Sequence, residues 1–372
     1  MSASLRALRN TFIKDASASA SAALSIPETE VERPFKIVVI GGTGAGKSTL
    51  LNALIGEAVL LPTNCMRACT STIVELSYLT EACVGETYVA TIEYLSPEEW
   101  AAQLDAMCRT IALARKTFLE QCRINKTEDD KKENNWLIAG TPASDAVVRL
   151  RSVYGHSMEE SIMTADAITL HCHPRVLKVL SCQKIQLAAA SAPELSLKLT
   201  KEIDPENQSI NGTHWPLIKR VSIQGPWATL MGGLHLIDAP GLHDDNMARA
   251  DVVRCFLREA DAILLVSTIK RAANDKTTKD LMPLEFRRGL LSSGRLGQLA
   301  FVATQTDELV PSEIRRNLHL ANSTSPIECA VARNTYTKHR LTEDFFRGVE
   351  MGLLPINREG GGAFGSFQFP VF

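Results

Sequence analysis

Residues Gly41 to Ser48 read GGTGAGKS and satisfy the pattern G-x-x-x-x-G-K-S/T, an arrangement suited to holding phosphate. The chemistry lies in the spacing. A glycine-rich turn running from Gly41 through Thr43, Gly44, Ala45 and Gly46 can aim successive backbone N–H groups at phosphate oxygens, and the helix behind it faces the same anion with its positive dipole end. Lys47 can then reach the β- and γ-phosphates, Ser48 can offer its hydroxyl to Mg2+, and Thr49 stands beside them at the helix start. The bland alternative is a tight strand-to-helix turn that binds nothing. An apolar run before the motif (Phe35 to Ile40) and a helix-like run after it (Thr49 to Ile55) supply the strand-loop-helix context that favours the phosphate loop.

Further loops could read the rest of a nucleotide. Asp238-Ala239-Pro240-Gly241 follows the apolar run Leu234 to Ile237 and matches D-x-x-G. Its carboxylate can hold Mg2+ through water, and the Gly241 N–H can touch a γ-phosphate and so sense its presence. Thr304-Gln305-Thr306-Asp307, after the run Leu299 to Ala303, occupies the place of an N/T-K-x-D element. There the aspartate accepts hydrogen bonds from guanine N1–H and the 2-amino group, a pair adenine does not offer. Asp307 is therefore the guanine reader. Gln305 stands where that element carries lysine, which keeps an ATPase reading open. A switch threonine should meet Mg2+ and the γ-phosphate: Thr70, in Met66-Arg67-Ala68-Cys69-Thr70, is the choice, and Thr72 the alternative. Arg67 could stabilise transition-state charge in cis, as an arginine does in heterotrimeric G-protein α subunits by roughly 10³ to 10⁵ in rate. A solvated surface arginine is the competing reading.

The elements that must position these groups read in α/β order. A strand, the phosphate loop and a helix to about Ile55 are followed by a polar turn (Pro62 to Arg67) and an alternating apolar stretch, Thr72 to Leu79. Ser96-Pro97-Glu98-Glu99 forms a capping box opening an amphipathic helix through Trp100, Leu104 and Met107. A charged loop-like run at Asn125 to Asn135, mixed helical periodicity from Leu137 to Leu199 and a polar loop at Lys201 to Gly212 come next. Ile218 to Ile223 and Leu234 to Ile237 suggest a hairpin, Ala248 to Glu259 an amphipathic helix, and Ala262 to Ser267 and Leu299 to Thr304 buried strands. Each functional loop follows a strand, as ligand binding beyond the carboxyl ends of a parallel sheet requires. His171-Cys172-His173, read as a short strand, has no partner pair for a metal and is assigned to structure.

Composition narrows the function less. The chain has 372 residues, 45% of them hydrophobic and 22% charged, with a formal net charge of −2; this describes a globular protein without the basic excess that points to nucleic acid. Nine scattered cysteines with no C-x-x-C pair signal neither a disulfide framework nor zinc, and fit reduced thiols in a cytoplasmic or nuclear setting. No apolar run is long enough for a transmembrane helix. The first 26 residues, rich in Ser and Ala with Arg6, Arg9 and Lys14, read as a flexible leader, with a mitochondrial-type transit peptide as the alternative.

With these residues in hand, the chain resembles the dynamin-like large GTPases, of the nuclear germinal-centre (SLIP-GC) type and its fungal relatives. The likeness rests on GGTGAGKSTLLNALIG and DAPG together with MRACTS at Met66, SPEEW at Ser96, WPLIKRVSIQGPW at Trp215, DDNMARA at Asp244 and IKRAANDK at Ile269. Asp238 follows Gly46 by 192 positions (238 − 46), so a large insertion is required. The resemblance implies a P-loop NTPase GTPase domain over residues 34–350, with an extended, mostly parallel sheet flanked by helices and a mainly helical insertion at about 80–215. A leader (1–33) and a Gly/Phe-rich tail (351–372) flank it. It implies GTP/GDP and Mg2+ as ligands, with Ser48, Thr70 and Asp238 on the metal and Lys47, Thr70, Gly241 and Arg67 in catalysis. A homodimer across the nucleotide face is a possible partner arrangement. Cys329 to Asn334 look like the family's last loop, so that Ala332 to Asn334 cover the base; a helix start without ligand contact is the alternative. Dynamins position the attacking water with a Gln-Ser pair in the phosphate loop, where this chain has Thr43-Gly44, and Leu242 stands where Ras-like enzymes carry glutamine. Slow hydrolysis, activation by a partner, or a nucleotide-dependent interaction module with negligible hydrolysis are the expectations.

Overall fold

Segments of five to eight residues, most of them apolar runs, form eight strands among the described residues: Phe35–Gly41 (β1), Ile73–Tyr78 (β2), Tyr88–Tyr94 (β3), Lys184–Ala189 (β4), Ile218–Gly225 (β5), Leu234–Asp238 (β6), Ala262–Thr268 (β7) and Leu299–Thr304 (β8). In this computed structural model they form one sheet in the order β4-β3-β5-β2-β6-β1-β7-β8. The sheet is mixed and mostly parallel, with helices flanking it. The structure describes residues 33–42, 44–61, 72–80, 87–125, 136–203, 213–239, 259–272, 298–308 and 310–350. The described residues divide into two compact units, the second running from 72 to 226 and the first comprising the rest.

In the first unit β6, β1, β7 and β8 are parallel neighbours, with Val39 opposite Asp238, Gly41 opposite Val266 and Thr268 opposite Thr304. This register brings the carboxyl ends of these strands to one edge. The last five residues of β1 and the first six of β7 are all buried, as strands covered on both faces must be. Helix Lys47–Ile55 buries Leu51 and Ile55 and stops at Gly56, which takes a left-handed conformation and donates its N–H to Asn52 O. Helices Pro311–Asn317 and Pro326–Glu350 follow β8.

In the second unit β3 runs antiparallel to both β4 and β5, and β2 runs parallel to β5. The capping box is formed: Ser96 Oγ accepts from Glu99 N (3.1 Å) and a Glu99 carboxylate oxygen accepts from Ser96 N (2.9 Å). It opens helix Pro97–Asn125, which buries Trp100, Leu104 and Ile111. Trp100 Nε1 donates to the Tyr154 hydroxyl (3.2 Å) at the end of helix Pro142–Tyr154, so the helices are tied by a satisfied polar contact within an apolar interface.

Three expectations need correction. The expected hairpin does not form: β5 pairs with β2 and β3, and β6 pairs in parallel with β1. The turn between the two strands connects elements with different partners. His171 ends helix Ala167–His171 and His173 caps helix Pro174–Cys182, so this tripeptide is a helix junction and not a strand. β4 lies in a stretch whose periodicity reads as helical; as an edge strand with half-exposed residues it lacks the apolar run that marks a buried one. Most of the expected helix at Ala248 to Glu259 lies outside the described residues.

Candidate functional site

β1 delivers the chain to Gly41, where only glycine fits: a Cβ there would lie 2.2 Å from Val266 O of β7. The loop turns on Gly44 (φ +75) and Gly46 (φ +86), both in the left-handed region that glycine adopts without strain. Ala45 N donates to Gly42 O (3.1 Å), and Gly46 caps helix Lys47–Ile55 while its carbonyl accepts from Leu50 N (2.9 Å). Thr49 lies on the first turn of this helix. Lys47 is buried, and its ammonium donates to Gly41 O (2.9 Å) and Gly42 O (3.5 Å). The loop's own carbonyls hold the cation whose charge suits phosphate oxygens.

Asp238 ends β6 with its carboxylate buried. Ser48 Oγ donates to Asp238 Oδ2 (3.2 Å), joining residues 190 positions apart. Asp238 Oδ1 is buried without a hydrogen-bond partner among the described residues. Burial pushes this carboxyl up to about 6, against the opposing pull of Lys47 and the Ser48 hydrogen bond. A carboxylate oxygen left unsatisfied beside a hydroxyl and an ammonium is costly unless something occupies it. An oxygen-only pair of this kind suits a hard divalent cation such as Mg2+. Ala239 N donates to Val39 O (3.1 Å), fixing the start of the loop.

Thr304 ends β8 and binds the phosphate loop directly. Its Oγ1 donates to Ala45 O (2.6 Å) and lies 3.3 Å from Ser267 O, and its side chain packs about 3.6 Å from the position a Gly46 Cβ would take. Gln305 follows in the left-handed region (φ +54), and Asp307 lies exposed in the short helical turn Thr306–Glu308. The strand ends thus bring Gly41, Gly44, Ala45, Gly46, Lys47, Ser48, Asp238 and Thr304 together. Ala332 to Asn334 lie inside helix Pro326–Glu350 and not on a loop, and Asn334 Oδ1 accepts from the Arg333 guanidinium (2.8 Å). Thr43, Arg67, Thr70, Gly241 and Leu242 lie outside the described residues.

One buried group escaped the sequence reading. Asn52 accepts from Leu61 N and donates to Leu61 O, both at 2.9 Å, and so anchors the chain that leaves the helix. A lone asparagine within the apolar run LLNALI was the available signal.

The profile of the Dynamin family matches residues 37–285. The chain is 31% identical over 323 residues to Nuclear GTPase SLIP-GC of Mus musculus, covering 85% of this chain and 38% of the relative. It is 28% identical over 327 residues to the Homo sapiens protein of the same description, covering 86% and 38%. Dynamin-like protein 1 of Campylobacter jejuni is 23% identical over 280 residues, covering 75% of this chain and 28% of that protein. A solved structure of an oligomerised bacterial dynamin pair overlays with a TM-score of 0.44 at 21% identity, covering 86% of this chain and 39% of the other. The chain spans 38% of the length of the two SLIP-GC relatives it matches.

Proposed function

The chain belongs to the dynamin family and carries its GTPase domain, and from that premise we propose that the first unit binds guanine nucleotide with Mg2+ and hydrolyses GTP to GDP and phosphate. The observation that carries the reading is the Ser48–Asp238 contact, with Asp238 Oδ1 buried near the Lys47 ammonium and without a hydrogen-bond partner among the described residues. Ser48 and Asp238, with Thr70, would hold Mg2+, which supplies positive charge to the β- and γ-phosphate oxygens. The Lys47 ammonium exchanges the Gly41 and Gly42 carbonyls for phosphate oxygens, and the loop N–H groups cradle the same anion. Asp307 accepts the guanine N–H pair and Gly241 senses the γ-phosphate. Thr304 holds the base-reading loop on the phosphate loop through Ala45 O. Water attacks the γ-phosphorus in line, the bond to the bridging oxygen breaks, and GDP departs with its electron pair. Arg67 is the proposed stabiliser of transition-state charge. A cytoplasmic or nuclear place of action is proposed, the nuclear one supported by the description of the SLIP-GC relatives, and no described helix is long and apolar enough to cross a membrane.

The test is equilibrium binding and turnover with GTP and ATP in parallel, in Mg2+. GTP should be preferred, and Lys47→Ala should abolish binding; equal use of both nucleotides, or unchanged binding in Lys47→Ala, rejects the reading.

A second reading, a nucleotide-dependent interaction module with negligible hydrolysis, is favoured by Gly44. Its position has open space and no side chain to orient water. Single-turnover phosphate release at increasing protein concentration separates the two. A rate that rises with concentration indicates a homodimer across the nucleotide face completing catalysis, and phosphate release that stays at the solution rate indicates the module.

A further inference from the structure

The first unit also holds a groove of about 510 Å3, lined by Ser312, Arg315, Arg316, His319, Leu320 and Asn322. None of these belongs to the nucleotide set. Among the described residues the lining offers two guanidinium groups, an imidazole, a hydroxyl and an amide, and no carboxylate. Arg315 is held in place, because its Nε and Nη2 both donate to Thr324 O (2.9 and 2.7 Å). Arg316 is exposed, and its guanidinium makes no hydrogen bond or ion pair among the described residues.

The turn that ends helix Pro311–Asn317 presents the imidazole at a conformational cost. Leu320 N donates to Arg315 O (2.8 Å) and His319 N to Arg316 O (3.4 Å), the paired bonds of a glycine-type helix stop. Yet the residue in the left-handed position is His319, with φ +53. Glycine adopts that conformation freely, and histidine is among the residues with a Cβ that enter it more readily, though still at a cost. Such an outlier points to a use for the side chain.

A structural role for the arginines, complementing the negative end of the helix dipole, is the competing account. It leaves much unexplained. The carbonyls of Ile314, Arg315 and Arg316 are already satisfied by Leu318, Leu320 and His319 N–H groups, and the dipole gives no reason for a strained histidine on the same wall. The Arg316 guanidinium can meet phosphate oxygens as a forked pair, Arg315, whose Nε and Nη2 are engaged by Thr324 O, adds positive charge beside it, and the groove has room for more than an isolated ion.

We propose that this groove binds a phosphate-bearing ligand, a diphosphate or phosphate monoester, at a second site independent of the phosphate loop. A soluble phosphorylated metabolite and the headgroup of a phosphorylated lipid present the same chemistry to it.

The experiment titrates inorganic pyrophosphate calorimetrically into the full chain and into Lys47→Ala, Arg316→Gln and His319→Gly. One pyrophosphate site should persist in Lys47→Ala; if that variant does not fold, GDP and Mg2+ saturating the unsubstituted chain block the first site instead. The persisting site should weaken about tenfold in Arg316→Gln, the loss of one charge-assisted contact. In His319→Gly it should weaken severalfold while the thermal midpoint rises, since glycine relieves the turn. GTP turnover should stay unchanged in both. Loss of every pyrophosphate site on blocking the phosphate loop, or an unchanged affinity in the Arg316→Gln/His319→Gly double variant, overturns the proposal. So does polyglutamate binding as tightly as pyrophosphate, because the groove would then read charge and not phosphate. Sedimentation with phosphatidylcholine vesicles containing phosphatidylinositol bisphosphate, competed by soluble inositol trisphosphate, assigns the lipid source. Binding of the soluble compound without sedimentation assigns the metabolite, and either result upholds the site.

Discussion

At the scale of single residues, Asp238 shows what a buried carboxyl costs the folded protein. Its folded-state carboxyl is raised from 3.8 to about 6 by burial. A raised value means that the stability it contributes is complete below 3.8 and is lost as pH rises through about 6. At neutral pH the nucleotide-free protein therefore carries a buried carboxylate, one oxygen of which has no hydrogen-bond partner among the described residues, at a cost on the order of 2–3 kcal/mol. Asp238→Asn removes the charge. The substitution should raise the thermal midpoint of the nucleotide-free protein at pH 7.5 by several degrees, with a smaller gain at pH 4.5, where the carboxyl is already protonated. The same variant should lose at least about tenfold in Mg2+-dependent GTP affinity. Scanning calorimetry and nucleotide titration measure the two effects; a lowered midpoint with intact Mg2+ dependence would remove Asp238 from the metal site.

At the scale of elements, the second unit has its own pH response, carried by two histidines that share a neighbour. His173, which caps helix Pro174–Cys182 and meets the Tyr154 ring edge-on at 5.5 Å, is held below its ordinary range by burial and then by Arg175. His214 is lowered by burial and by Arg175, with Glu202 opposing. Both shifts disfavour the charged ring in the folded state. Their stability is complete above the ordinary value of 6.5 and declines as pH falls through the lowered ones. Unfolding of the second unit should move to lower temperature between pH 7.5 and 5.5, and Arg175→Gln should reduce that slope by removing the repulsion common to both rings. An unchanged slope in Arg175→Gln would assign the response to other groups. Legibility in the sequence followed element type. The strands β1, β7 and β8 and the helix behind the phosphate loop were visible because burial on both faces writes a continuous apolar run. The Ser96–Glu99 cap was visible because its chemistry is local. β4 and the partners of β5 and β6 were not, since an edge strand needs no apolar run and pairing across nearly 200 positions, as between Phe35 and Leu234, leaves no local mark. In the site, Ser48, Asp238 and Thr304 were each legible from motifs. The Ala45–Thr304 bond and the Asn52–Leu61 clamp were not, since each depends on a backbone carbonyl that no side-chain pattern announces.

At the scale of the whole molecule, every described residue of the proposed nucleotide site belongs to the first unit. Ligand energy should therefore enter the chain there. A ligand that binds only the folded protein stabilises it by an amount fixed by concentration, about 2.7 kcal/mol at one hundred times its dissociation constant. If the two units opened as a single cooperative block, amides in both would gain that protection; if each opens by itself, only the first would. The separate clustering of contacts favours independent opening. Hydrogen exchange with and without Mg2+ and GTP should slow the amides at 41–48, 236–239 and 304–307 and leave β3, β4 and the helix Pro97–Asn125 close to their unliganded rates. ATP at the same concentration should leave both units unchanged, and Lys47→Ala should erase the GTP effect. Equal protection across the two units would show that the chain opens as one block, and protection confined to the second unit would place the nucleotide away from Lys47 and Asp238 altogether.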